Sequence, residues 1–333
     1  MKKKIFITGA SGFVGSHLVE AAQALGLEVH AAVRKSSKIA DIKPFVDKFV
    51  YPNMADAEEL QQLFEAEQYH YIIHAAAMTK AKEESQMRQV NVGYTRAILT
   101  AATQANMPLE RITYVSSLAA IGPIPYASER LIDESFPYQP LTVYGRSKQE
   151  SELMIRQEFP TAPVSVMRPT AVYGPREKDI FILFETMNKG LDPYIGRSPQ
   201  KLSFIYVKDL VDVLLQGCIV PQEGLQFYNL SDGEVYSRYA MADIFKTVIR
   251  KKLLRVHVPF SLVRGVAALS QRLYRNSTKT PVIYPERLHE LTAENWGCDI
   301  SRAKAQLGFQ PKFDLEQGLK ASLTWYKENN WLK

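Results

Sequence analysis

The chain has 333 residues, 46% of them apolar and 23% charged, which is enough for one large or two joined domains with a core that needs no staples. Its only cysteines, Cys218 and Cys298, form neither a disulfide framework nor a metal-ligand set, so we expect no metal and a reducing, cytoplasmic setting. The net charge of +6 comes without a nucleic-acid-reading motif, and no apolar window reaches the length of a membrane span. Nucleic acid and an integral membrane segment are therefore not expected.

The opening MKKKIFITGASG resembles a secretory leader only superficially. Its apolar run Ile5–Thr8 is too short, and glycines follow at once. That run reads instead as a first strand. Further strands are predicted at Val29–Val33, Lys48–Tyr51, Tyr71–Ala75, Arg111–Ser116 and Val164–Met167. Helical patterns separate them at Gly15–Ala24, Ala57–Glu67, Glu83–Ala105 and Val143–Glu158. Short apolar strands alternating with helices predict parallel βαβ units, an α/β Rossmann-type doubly wound sheet covered on both faces.

After Pro169 the pattern changes, with Pro and Gly punctuating residues 169–199. The expected division is a dinucleotide-binding domain of residues 1–170, to which 204–232 return through a helix at Tyr206–Gly217 and a strand at Leu225–Leu230. Residues 171–203 and 233–333 then form a smaller, partly helical substrate-binding cap. Within it, Phe260–Arg275 reads as an amphipathic, basic helix that packs on its own domain or touches a membrane surface.

Motifs fall at the ends of these strands. The first runs into Gly9-Ala-Ser11-Gly12-Phe13-Val14-Gly15, where a helix begins. Glycines there permit a tight turn and let a pyrophosphate approach bare backbone, and the helix start offers unpaired N–H groups. The second strand ends at Val33-Arg34-Lys35-Ser36, without the carboxylate that grips the ribose hydroxyls of NAD. Arg34, helped by Lys35, Ser36 or Lys38, suits a 2′-phosphate, which favours NADP(H) with NAD(H) as the other possibility.

Tyr144 and Lys148 stand four apart in Tyr-Gly-Arg-Ser-Lys, on one face of a helix. A neighbouring ammonium is expected to lower the phenol pKa and make the tyrosine a usable acid or base. With 17 tyrosines in the chain, such a pair arises by chance roughly once, so position decides. Ser116-Ser117 lies where the strand Arg111–Ser116 ends, at the sheet edge where ligands bind. Ser117 can hold a substrate oxygen beside the tyrosine there.

Together these segments resemble the extended short-chain dehydrogenases/reductases of the NAD-dependent epimerase/dehydratase group, over nearly the whole chain. TGASGFVG at 8–15 resembles the cofactor loop. Asn53-Met54 falls at the adenine contact, where the family usually carries Asp rather than Asn. His74-Ala75-Ala76-Ala77 resembles the segment under the cofactor and Asn91 the structural asparagine; VSSLAAIG at 115–122 resembles the serine motif. RPTAVYGPR at 168–176 resembles the nicotinamide-side turn, with Pro169 and Val172 toward the cofactor and Ala171 toward the substrate.

The resemblance implies a catalytic set of Tyr144 as general acid or base, Lys148 lowering its pKa and holding the nicotinamide ribose, and Ser117 on the substrate oxygen. It also implies a homodimer through helices 83–105 and 143–158. The Asp-Glu pair of sugar-nucleotide dehydratases is replaced by Leu118-Ala119-Ala120, and the epimerase Asn by Ala171. The segment 174–190 is closer to the 3β-hydroxysteroid dehydrogenase and dihydroflavonol reductase branch. The expected reaction is therefore interconversion of a ketone and a secondary alcohol on a bulky, hydrophobic or ring-shaped small molecule.

Phe181, Phe184, Met187 and Tyr194 are candidates for the substrate lining, with plain cap core as the alternative role. The alternatives are a nucleotide-sugar epimerase, with Arg176 and Lys201 on its diphosphate, and more remotely a dinucleotide-sensing scaffold. His17, His74 and His257 are read as structural, and Asp133-Glu134 as a solvated pair in a Pro-rich loop.

Overall fold

The computed structural model describes residues 2–274 and 285–332. Seven strands make one wholly parallel sheet: β1 (Lys4–Thr8), β2 (Glu28–Ala32), β3 (Lys48–Val50), β4 (Tyr71–His74), β5 (Arg111–Val115), β6 (Val164–Pro169) and β7 (Gln226–Leu230). Their order is β3-β2-β1-β4-β5-β6-β7. The chain runs outward from β1 to β3, then returns beside β1 with β4. That reversal opens a crevice at the carboxyl ends of β1 and β4, where doubly wound sheets bind ligands.

Alternation along each strand sorts the core onto two faces. Ile5, Ile7, Tyr71 and Ile73 join a cluster with helix α1 (Phe13–Ala24), the helix Val207–Ile219 and later residues such as Phe184, Phe245 and Leu319. Phe6 and Ile72 join the opposite cluster with α2 (Ala57–Glu67), α3 (residues 84–104) and α4 (Val143–Glu158). Caps set the starts of two of these helices. Asp56 accepts from the N–H groups of Glu58 and Glu59, and Thr142 Oγ1 from that of Gly145 at 3.1 Å.

Helix α3 differs from the single helix expected over 83–105. It runs Glu84–Arg88, opens into a π-type turn at Gln89–Gly93, and continues as Tyr94–Gln104. The turn frees the Asn91 carbonyl to accept from Ser151 Oγ at 2.9 Å, while its side chain bridges the Met78 backbone and Ser147 Oγ. Such bulges trade helical hydrogen bonds for side-chain ones.

The strand Gln226–Leu230 pairs with β6, and the helix Val207–Ile219 packs on α1 and β5. Beyond β6 the chain makes short strand pairs: Ala171–Tyr173 with Phe204–Tyr206, Leu191–Ile195 with Leu254–Val258, and Lys201–Leu202 with Tyr236–Ser237. The amphipathic segment predicted at 260–275 is a helix over Phe260–Leu273; Arg275 lies outside the described residues. Cys218 and Cys298 are free and buried, and burial pushes the Cys218 thiol up to about 12 and the Cys298 thiol up as well.

Candidate active site

Because the sheet is parallel, β1, β4, β5 and β6 all deliver their following residues to one edge. β1 delivers the glycine loop. Gly9 has φ +71, and a Cβ on Gly15 would lie 2.0 Å from the Gly9 carbonyl oxygen, so helix and strand meet only without side chains there. Gly12 caps α1 with no side-chain hydrogen bond, the first turn holds no carboxylate, and Ser11 and Gly12 are exposed. Phe13 and Val14 are half-buried at the helix start. Bare backbone at an open helix N-terminus fits the pyrophosphate of a dinucleotide.

Residues Ala75, Ala76 and Ala77 follow β4 at the same edge, and a Cβ on Gly9 would meet the Ala75–Ala76 backbone at 2.7–2.8 Å. Thr8 Oγ1 accepts from the Ala76 N–H at 3.1 Å and meets His74 Nδ1 at 2.7 Å, while His74 Nε2 meets Thr95 Oγ1 at 3.0 Å. Burial pushes His74 down to about 3, so the ring is a neutral strut between β1, β4 and α3. Arg34 is exposed just past β2. Asn53 is exposed beyond β3, where its side-chain Oδ1 accepts from the Ala55 N–H, and Met54 packs on the core beside α2.

Ser117, two residues past β5, caps a single turn, Leu118–Ala120. Helix α4 crosses that turn closely because Gly145 has no side chain: a Cβ there would sit 2.5 Å from the Ala119 carbonyl oxygen. The crossing brings the Tyr144 phenol near enough to the Ser117 hydroxyl for that group to lower its pKa, while Ser117 Oγ itself accepts from the Ala119 N–H at 3.2 Å. Lys148, one turn later, is buried and donates to the Val115 carbonyl at 2.7 Å and the Tyr114 hydroxyl at 3.3 Å.

Electrostatics depart from expectation here. Burial pushes Tyr144 up to about 12, although the nearby Ser117 hydroxyl pulls it the other way, and the Glu290 carboxylate adds to the rise. Burial likewise pushes Lys148 down to about 7, against the attraction of Glu152. The expected lowering of the phenol by its lysine is thus corrected, because desolvation outweighs the charge of a lysine turned toward Val115.

Glu152 continues the same face of α4 and is sealed. It pairs with Arg168 of β6 at 2.6 Å and accepts from the hydroxyls of Tyr138 and Ser116. Neither Glu152 nor Glu290 stood out in the sequence. Glu152 is two helical turns from Tyr144, and Glu290 is far along the chain with no motif around it.

A cavity of about 620 Å³ opens beside Tyr144. Met87, Leu141, Val143 and Pro285 supply apolar wall, while Lys82, Glu83, Glu84, Glu286 and His289 supply charge. The expected aromatic lining lies elsewhere. Phe184 and Met187 are sealed in the core, where Phe184 stacks on Phe245 at 6.0 Å and Phe181 packs on Tyr326 at 4.8 Å. Large rings on a helix that covers the C-terminal helix Leu315–Glu328 complete that core rather than a pocket wall. Tyr194 packs with Tyr239 and His257. Ala171 is exposed, Val172 half-buried, and Pro169 ends β6.

The other candidates are engaged locally. Arg176 donates to His17 Nδ1 at 2.7 Å and pairs with Glu20, and Lys201 reaches the Ser128 carbonyl and the Tyr126 ring. His257 Nε2 meets the Tyr239 hydroxyl at 3.0 Å. Glu134, expected to be solvated, instead accepts from the Asn229 N–H of β7 at 2.8 Å and ties the Pro-rich loop to the sheet.

Comparison with known proteins agrees with this fold. The ceramide reductase of Caulobacter vibrioides (strain NA1000 / CB15N) is 26% identical, the match covering 98% of this chain and 96% of that one. The human dTDP-D-glucose 4,6-dehydratase is 25% identical over 99% of this chain and 92% of its own. The crystal structure of dTDP-glucose 4,6-dehydratase from Bacillus anthracis str. Ames in complex with NAD superposes with a TM-score of 0.76 at 18% identity, covering 99% and 98% of the two chains. Residues 5–230 match the NAD dependent epimerase/dehydratase family, and the chain is an enzyme of that family.

Proposed function

We propose that the protein interconverts a ketone and a secondary alcohol, working as a reductase, on a bulky, largely apolar molecule that carries a polar group near the reacting carbon. A nicotinamide dinucleotide supplies hydride in this chemistry. The glycine loop of residues 9–15 holds its pyrophosphate, residues 75–77 underlie it, and Asn53 and Met54 border the adenine. Pro169 and Val172 border the nicotinamide side, and Lys148 serves the ribose. Arg34 gives NADP(H) the advantage over NAD(H), since an exposed guanidinium stands where a ribose-gripping carboxylate would repel a 2′-phosphate.

One observation carries the reading: Tyr144, with the Ser117 hydroxyl near its phenol, lines a cavity large enough for a small molecule. Ser117 orients the substrate oxygen, and Tyr144 moves the proton at that oxygen. A phenol pushed up to about 12 keeps its proton through neutral pH, which equips it to protonate a carbonyl oxygen as the carbon is reduced. The mixed cavity wall suits an amphipathic substrate, in keeping with the reductase relative named for a ceramide. Residues 171–203 and 233–333 act as the substrate cap over a dinucleotide domain of 1–170 and 204–232.

A nucleotide-sugar epimerase would use the same three residues, and the charged half of the cavity favours a hydroxylated ring. Against it, Arg176 and Lys201, the cations expected on a diphosphate, are tied to His17, Glu20 and Ser128. Cofactor stoichiometry separates the readings. Reduction consumes one NADPH per ketone added, in a panel of steroid-like and lipid ketones. Conversion of a UDP-sugar without net change in cofactor absorbance would replace the redox reading with epimerisation.

A further inference from the structure

The charge of this molecule is concentrated in one stretch. Residues 244–285 contain nine lysines and arginines and no aspartate or glutamate, whereas the remainder holds 32 basic against 35 acidic residues. The whole basic excess therefore belongs to this segment. Its centre is the helix Phe260–Leu273.

That helix is turned inside out relative to one that completes a core. Leu262, Val266, Leu269 and Leu273 are 59%, 55%, 58% and 72% exposed. At 3.6 residues per turn these four fall within an arc of about 60°. Ala267, on the other side of the helix, is fully buried. The apolar stripe thus points away from the body of the protein. Arg264 and Arg272 are exposed on the same helix, and Arg250 and Lys252 are exposed just before it. Leu254 and Val256 of the preceding strand are exposed too.

We propose that the helix Phe260–Leu273 docks the protein on an anionic lipid bilayer, with the leucine-valine stripe in the interface and the surrounding cations on the headgroups. Two facts select a bilayer over a second copy of the chain. The helix carries only positive charge, so pairing it with itself brings like charges together, whereas anionic headgroups complement it. The stripe is also short and flanked by bases, as befits a helix lying in an interface; among the described residues no helix is long and apolar enough to cross a membrane.

The location has a consequence for the substrate, which rests on the proposed function. The docking helix packs against the helix Pro285–Leu291, and that helix forms one wall of the cavity beside Tyr144. Docking brings that wall to the bilayer, where a lipid-borne ketone resides.

The test is flotation of the full-length protein with vesicles of phosphatidylcholine, alone or mixed in equal parts with phosphatidylglycerol, at low and high salt. The wild type floats with the anionic vesicles, less so at high salt. The variant L262S/V266S/L269S loses at least about ten-fold in bound fraction, as removal of buried apolar area demands. R264Q/R272Q loses binding to anionic vesicles selectively. Because the stripe is exposed, the serine variant keeps the wild-type melting temperature.

Failure of the wild type to float, or a serine variant that floats as well as wild type, overturns the proposal. So does a lowered melting temperature, which would show the stripe covered by its own chain. A wild-type dimer that the serine variant dissolves in sedimentation would give the stripe to a second copy. Flotation reads docking alone and turnover reads the reaction, so each can fail without the other.

Discussion

The phenol of Tyr144 is subject to two opposing influences, and burial is the stronger. Its proton is the one that the proposed reaction moves. Tyr144→Phe keeps the ring and removes only the hydroxyl. Turnover should fall by about two orders of magnitude or more, while dinucleotide affinity, measured by fluorescence titration, stays within about two-fold because the glycine loop is untouched.

Lys148 offers a second reading at this scale, in stability. Its pKa is about 7 in the fold against 10.5 in an open chain. Between those values the unfolded state binds more protons, so this residue makes wild-type stability rise with pH; its cost is complete below 7 and gone above 10.5. Lys148→Met abolishes that rise. Denaturant titrations at several pH values between 7 and 10 should show the wild type gaining on the variant, and parallel curves would contradict the burial assignment. These residues were legible in the sequence because short motifs fix them. The sign of the phenol shift was not, since desolvation depends on neighbours such as Glu290 that come from a distant helix.

Helix α4 works as a ruler. Tyr144, Lys148 and Glu152 share one face, and the last of them bolts the helix to β6 through Arg168. Both charges are sealed, with side-chain exposures of 0% and 1%, so neither has water to fall back on. Glu152→Gln leaves the guanidinium without its counter-charge and should cost about 3–5 kcal/mol in urea denaturation. A loss below about 1 kcal/mol would mean that the pair is not buried in solution.

The βαβ elements were readable from periodicity, and the helix 143–158 lies where its apolar spacing put it. The π-type turn at Gln89–Gly93 was invisible because its cause is tertiary: Asn91 bonds to Met78 and Ser147, on other segments. The same limit explains Phe181 and Phe184. Aromatic residues after a Pro-Gly-rich stretch read equally well as pocket or core, and only the C-terminal helix, which covers them, decides for core.

At the scale of the whole molecule, α3 and α4 lie side by side and are stitched together by Arg88–Glu150 and Arg96–Glu158 at 2.7 and 2.8 Å. Leu153 stands exposed on α4. In the homodimer that we propose through these two helices, it would be covered by the partner. Leu153→Glu should then convert a dimer to monomer in sedimentation velocity with little change in melting temperature. A wild type that sediments as a monomer removes this arrangement. Nothing in one chain's sequence could decide it, because an amphipathic helix pair packs against its own sheet for the same reason that it packs against a second copy.

The two thiols have a practical consequence. Both are sealed, and burial pushes both toward the protonated form, so the native molecule presents alkylating reagents with no thiolate to attack. Iodoacetamide should therefore label the chain only when it opens, and the uptake of label becomes a clock for global unfolding. A single cysteine engineered onto the exterior would be the one attachment point for a dye, with no need to delete the native pair.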